Sequence, residues 1–420
     1  MLGAILALGG LNGAYAQDAG VNSALLGALP RLPENWSDLP FQIHLSETVG
    51  YNSNVLNTPN STVVVNNTPI TARPIGAFES ISSYGASTKF NWGNQEVFAD
   101  ATFGMYRYLD HPSLDTQHHN LDAGVNWTYT SRCSGRLLAS DSATPSEPTQ
   151  QVAINTVNTI TTLMFSETGK CAITSNYSAI FNSGFGTSRN SAAADRLNNF
   201  NDVYIAGGLS YVLAETNTLE LLATITGTNY TDRPLSVTNL GLASQITEDQ
   251  VNLSYTKFFS PRFSMIASIG AVGVQDGSFS LAFPRSLEPQ YSWSFNWAAT
   301  PKLSVRGSIA RIVSVPTQTI ANVQVTENAT LFVSYELTPK VLLSGNVSAS
   351  RLVSNLGQNA INTALGTAES TKTYSAGAGL TYQMTPFLRS TLTYQYYRSV
   401  TPTTVAPTSL VLLGLNFNPY

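Results

Sequence analysis

Charge is what this chain lacks most. Asp, Glu, Lys and Arg make up 11% of its 420 residues, against about 25% in soluble globular domains. A soluble fold of this length needs charge on its surface. A wall with lipid on one side and neutral polar groups on the other does not. The net charge is −4, with no basic block to suit nucleic acid and no acidic tail. Long hydrophobic runs are missing too. The only one of note, Leu2–Leu8, is far below the roughly 20 residues an α-helix needs to span a bilayer. Gly-x-Ser-x-Gly, His-Glu-x-x-His and a phosphate-binding loop are all absent, so no familiar catalytic constellation stands out. Cysteine is limited to Cys133 and Cys171.

The short apolar run is followed by Ala14-Tyr15-Ala16 and then Gln17-Asp18. An apolar segment and a small-x-small site read as a signal peptide over 1–16. The basic n-region is missing, the first basic residue being Arg31, so the true leader is expected to start further upstream. A buried N-terminal helix is the competing reading. Residues 17–40 are expected to form a short periplasmic extension, too small for the plug of a siderophore transporter. In an exported chain an even pair of cysteines points to a disulfide.

From Phe41 onward, alternation dominates. Leu121, Ala123, Val125, Trp127 and Tyr129 alternate with Asp122, Gly124, Asn126 and Thr128. Tyr291, Trp293, Phe295 and Trp297 alternate with Ser292, Ser294 and Asn296. A period of two gives a strand one apolar and one polar face. The runs last about 9–12 residues, enough to cross a membrane at a tilt, and the polar face is poor in Lys and Glu.

Connections alternate between short and long. Gly93-Asn94, Thr130–Ser134, Glu167–Lys170 and Ala214–Asn217 read as tight turns, as do Ser260-Pro261-Arg262, Thr300-Pro301-Lys302, Thr338-Pro339-Lys340 and Thr385-Pro386. Proline presets φ at the second position of a type I turn. The turn prolines recur about every 40 residues, one hairpin per period. Long connections include Asn52–Gly76, Asp110–Asn120, Ser142–Ile154 and Thr187–Asn201. Tight turns on one rim and long loops on the other predict a closed antiparallel transmembrane β-barrel over 41–420, of about 18 strands, with both ends periplasmic. The last strand is read at Ser409–Phe417, with Leu413, Leu415 and Phe417 alternating. Such an ending is what the barrel-assembly machinery reads. Outer-membrane lipid and that machinery are the expected partners; no nucleic acid, cofactor or metal is expected.

Within this scheme Asp100, Asp122, Glu220, Glu248, Arg306, Glu336 and Arg389 point into the lumen. Each is either pore lining or part of a structural ion-pair network. The remaining inward positions are rich in Ser, Thr, Asn and Gln, a wall suited to polyhydroxylated solutes. Trp127, Trp293, Phe295 and Trp297 are expected to face lipid as an interfacial girdle. Asp110, His111, Asp115, His118 and His119 cluster in one outer loop, where a solvated polar loop competes with a divalent-metal site. Only His44 falls on a predicted strand, lumenal and deep, which leaves no rim histidine on a strand for a barrel hydrolase. The chain is therefore read as non-enzymatic. Cys133 and Cys171 are placed at periplasmic turns two strands apart, as a disulfide stapling neighbouring hairpins.

Tyr51-Asn52-Ser53-Asn54-Val55-Leu56, the cysteines at two early turns and the Thr-Pro-Lys/Arg-Leu-Ser hairpins resemble the group known as beta-barrel porin 2. That group includes EpsL-like outer-membrane proteins encoded in exopolysaccharide operons. The resemblance implies an outer-membrane channel tied to polysaccharide export, with export components as further partners. A general or sugar-type diffusion porin, and a structural or adhesive barrel with a closed lumen, are the alternatives.

Overall fold

Strand-forming runs separated by proline and glycine turns leave the chain one way to satisfy its backbone inside lipid, which is to pair every strand on both sides. The computed structural model shows this. It describes residues 41–55, 61–65, 68–72, 74–145, 158–233, 243–276, 287–314, 323–355, 370–401 and 405–418. The expected leader and the extension over 17–40 lie outside the described residues.

Strand β1 (Phe41–Asn52) is followed by a small hairpin, β2 (Ser61–Val65) and β3 (Thr68–Ala72), in the first long loop. The wall then continues through β4 (Ala77–Trp92), β5 (Gln95–Tyr108), β6 (Thr116–Thr130), β7 (Cys133–Pro145), β8 (Thr159–Ala172) and β9 (Tyr177–Asn190). Next come β10 (Phe200–Ala214), β11 (Asn217–Tyr230), β12 (Gln245–Ser260), β13 (Phe263–Asp276), β14 (Leu287–Ala298) and β15 (Leu303–Ser314). It ends with β16 (Val323–Thr338), β17 (Val341–Asn355), β18 (Ser370–Gln383), β19 (Leu388–Val400) and β20 (Val405–Phe417). All but β2 and β3 form one 18-stranded sheet, in which β1 pairs with both β4 and β20. Every pairing is antiparallel, and the pairing of β1 with β20 closes the sheet into a barrel. An even strand count with short turns on one rim is the bacterial outer-membrane form. The protein is an outer-membrane β-barrel.

The short turns explain their own spelling. In Thr300-Pro301-Lys302 the Thr300 hydroxyl accepts from the Lys302 and Leu303 backbone N–H groups at 3.2 and 3.0 Å. Thr385 accepts from Phe387 and Leu388 in the same way at 3.3 and 3.0 Å. Proline sets φ while the preceding hydroxyl satisfies N–H groups the turn leaves free. Gly93, at φ 62°, serves the β4–β5 turn by taking the left-handed region. Thr300→Val is expected to lower stability by about 1 kcal/mol, seen as a lower urea midpoint. An unchanged midpoint would mean that water replaces the hydroxyl.

Two readings of the chain need correction. Glu167–Lys170 is not a turn: β8 continues through it to Ala172, and the chain reverses at 173–176. Cys133 and Cys171 are consequently not two strands apart. They are Cα partners on adjacent β7 and β8, 4.1 Å apart, and they are disulfide-bonded. The bond still joins two neighbouring short-turn hairpins, β6–β7 and β8–β9.

Candidate functional site

In a closed sheet, alternate residues of every strand face the same side. One set carries the exposed large apolar chains, such as Leu45, Val49 and Tyr51 on β1 and Val411, Leu413 and Leu415 on β20. This is the outer face. The other set carries hydroxyls and amides bonded across strands. Ser304 and Ser334 share a hydrogen bond of 2.6 Å, Ser308 and Thr330 one of 2.7 Å, and Ser348 and Ser375 one of 2.7 Å. Gln290 reaches across β13 to donate to Asn252 at 2.5 Å. These residues form the wall of the lumen, which is the candidate site.

Register places the seven charged candidates on this wall. Asp100 on β5 and Asp122 on β6 are direct Cα partners. Like charges in that position repel. Asn120 eases the contact by donating to Asp122 at 3.0 Å. His44, bonded to Thr102 at 3.0 Å, lies within electrostatic reach of Asp100. Glu220 is held structurally, 3.5 Å from Lys170 and accepting from Ser210 at 3.0 Å. Glu248 is the Cα partner of Thr226 and Val274. Arg306 is the Cα partner of Asn296 and Phe332 and is exposed. Arg389 donates to Gln383 at 2.6 Å. Neither arginine forms an ion pair with a carboxylate among the described residues, and Glu336, four positions below Phe332 on β16, does not pair with Arg306. Both arginines sit near the start of their strands, at the short-turn rim. A hollow there is lined by Lys302, Ser304, Glu336, Lys340 and Gln383 among others.

Asp122 on β6 and Arg306 on β15 are nine strands apart around the ring. Acid and base therefore stand on opposite walls. The same holds for Arg136 on β7 and Glu336 on β16.

Several wall residues escaped the sequence. Arg136 lies 4.3 Å over the Phe98 ring, beside Glu96, which accepts from Asn126 at 2.8 Å. Alternation in β7 had the signal for Arg136, because Gly135 and Leu137 take the outward places. Lys170 was hidden by the misread turn.

The supposed loop cluster dissolves. His118 and His119 belong to strand β6, not to a loop, and so His44 is not the only strand histidine. Adjacent strand residues point to opposite faces. His118 turns inward against Tyr106, ring centroids 5.1 Å apart, and His119 turns outward to Asp141 at 3.2 Å. Asp115 accepts from the Tyr108 backbone at 2.8 Å and closes the loop.

On the outer face, Trp293 and Trp297 are exposed at 38% and 46%, and Phe295 shares their side of β14. Phe295 packs where a side chain at Gly307 would lie, and Trp127 does the same at Gly135. Trp127 also stacks on Phe181, which covers Gly169. Among the charges on this face is one on β1. Glu47 lies between Leu45 and Val49 along β1 and beside Leu415 on β20, accepting a hydrogen bond from Ser80 at 2.5 Å.

No family model and no curated protein matches the chain. Solved barrels of Pseudomonas aeruginosa do. OccK1 (OpdK) is similar with a TM-score of 0.48 at 10% identity, over 90% of this chain and 98% of that one. OccK2 (OpdF), solved with glucuronate, gives 0.49 at 8% identity over the same shares. The siderophore receptor PirA gives 0.43 at 12% identity, over 90% of this chain and 80% of that one.

Proposed function

We propose that the protein is a diffusion channel of the outer membrane for small polar solutes. The observation that carries this reading is the pair Arg306, exposed, and Arg389, half-buried, both inward at the short-turn rim and without a carboxylate partner among the described residues. An arginine kept only for structure is expected in a bidentate carboxylate pair, and a charge left exposed on the inner wall is solvated. The hydroxyl- and amide-rich wall offers hydrogen bonds to sugar-like solutes without trapping ions. On this reading the outward aromatics Trp127, Trp293, Phe295 and Trp297 sit at the lipid interface. The chemistry is passage, with no bond made or broken.

Liposomes containing the purified chain are expected to swell in isosmotic monosaccharide faster than protein-free liposomes, with the rate falling as solute size rises. Swelling no faster than the protein-free control would overturn the channel and leave a closed structural barrel.

The resemblance to EpsL-like proteins supports a second reading, passage of exopolysaccharide outward. The residues that carry it have a structural task in this fold. The Ser53 N–H donates to the Ser409 carbonyl at 2.9 Å, the Ser409 N–H donates to the Ser53 hydroxyl at 2.8 Å, and the buried Asn54 donates to the Pro407 carbonyl at 3.3 Å. The motif thus ties the end of β1 to β20 where the ring closes, a task that does not depend on what the barrel carries. Loss of surface polysaccharide on deletion, with solute uptake unchanged, would favour export over the diffusion reading.

A further inference from the structure

We infer that the outer face of β14–β19 carries a binding site for the phosphorylated headgroup of an outer-leaflet lipid. A row of charge crosses the strands there, within five residues of their long-loop ends. Arg311, Glu327, Arg351 and Lys372 are successive Cα partners on β15 to β18. Arg398 on β19 faces Tyr374, the next outward residue after Lys372. The first part of the row is an ion-pair chain: Arg311 lies 3.1 Å from Glu288 and 3.6 Å from Glu327, and Arg351 lies 3.6 Å from Glu327. The second part is cationic. Lys372 and Arg398 are exposed and form no ion pair among the described residues.

Two independent features point to an anion. Arg351 and Lys372 are direct cross-strand partners on one face, an arrangement that costs stability through repulsion unless an anion lies between them. Arg398 adds a third positive charge from the next strand. The surface immediately toward the short-turn rim is apolar and exposed, formed by Leu331, Val347, Tyr374 and Tyr396. Cations above an apolar wall match an amphiphile, with phosphate at the top and acyl chains below. Free phosphate would use only the upper half. Long loops face outward in outer-membrane barrels, which puts the row at the headgroup level of the outer leaflet. Basic clusters at that level recognise anionic lipid headgroups.

The test uses the full chain purified in a neutral detergent and bis-phosphorylated lipid A as the probe, with bound lipid counted by native mass spectrometry. Wild type is compared with the triple variant Arg351→Gln, Lys372→Gln, Arg398→Gln, and with Glu327→Gln, after each is shown to keep the heat-resistant gel mobility of a folded barrel. The triple variant is expected to bind lipid A roughly 100-fold more weakly, from three surface cations. Glu327→Gln removes an acid from the row and is expected to bind more tightly. Inorganic phosphate is expected not to displace the lipid, and lipid A stripped of its phosphates is expected to bind as weakly to wild type as intact lipid binds to the triple variant. Equal binding by wild type and the triple variant would overturn the site, as would equal binding of the stripped lipid or weaker binding by Glu327→Gln. Displacement by inorganic phosphate would overturn the lipid as its occupant. If the triple variant fails to fold, Glu327→Gln and the stripped lipid decide the matter alone.

Discussion

Replacing Cys133 and Cys171 together by serine is expected to lower barrel stability by up to about 4 kcal/mol. β7 ends and β8 begins at the long-loop rim, and no turn joins them at the short-turn rim. There the disulfide is the sole covalent link between the two strands, closing a separation of 38 residues. In the unfolded chain that bond removes loop entropy, and in the barrel it spans partners already 4.1 Å apart at Cα. The two strands are also joined along thirteen Cα partners from Cys133 to Pro145, and this pairing is expected to persist without the bond. The variant is therefore expected to fold to the same 18 strands with a lower midpoint in urea. Wild type under reductant should unfold at the variant's midpoint. A shift below about 1 kcal/mol would mean that the unfolded ensemble keeps these two strands together without the bond.

The barrel was legible because its signal is repeated. Apolar-polar alternation recurs along the whole wall, and every Thr-Pro or Ser-Pro turn falls where a hairpin turn is found. What failed did so where one strand departs from the pattern. In β8 the outward places near the short-turn rim hold Glu167 and Gly169 in place of apolar side chains, so Glu167–Lys170 reads as a polar turn. Gly169 is small because the Phe181 ring from β9 lies over it, and a neighbouring strand's ring leaves no trace in the local sequence. The hairpin β2–β3 has no counterpart in the sequence pattern, its Val63-Val64-Val65 run being too short to show a period. His118 and His119 looked like loop ligands because β6 begins at Thr116, earlier than its apolar residues do.

The charges of the lumen were legible by parity, and their pairing was not. Glu220 meets Lys170 from three strands away, and Arg306 stands nine strands round the ring from Asp122, relations that no single strand's sequence carries. Glu47 on the outer face is a different case. Alternation does put it outward, between Leu45 and Val49, and the structure shows how it is accommodated, by a hydroxyl from β4.

Exchange of both Arg306 and Arg389 for glutamate is expected to shift the channel toward cations by roughly fivefold at 0.1 M salt. Each exchange changes the local charge by two units. At about 8 Å in water, one unit charge acts on a passing ion by about 0.5 kcal/mol. Four units give about 2 kcal/mol, and a Debye length of about 10 Å leaves roughly half of it. The sign follows from position: the two arginines favour anions at the short-turn rim, and carboxylates there favour cations. The same argument makes the effect vanish near 1 M salt, where the Debye length falls to about 3 Å. Reversal potentials across a planar bilayer under a potassium chloride gradient read the change directly. Arg306→Gln with Arg389→Gln should give about half of it, because each site then loses one charge unit where glutamate changes two. A structural role for the arginines predicts something else, a lower unfolding midpoint in both double variants with the reversal potential unmoved. If selectivity stays fixed at low salt while the barrel remains folded, the ions do not pass these side chains, and the path through the lumen lies elsewhere or is closed.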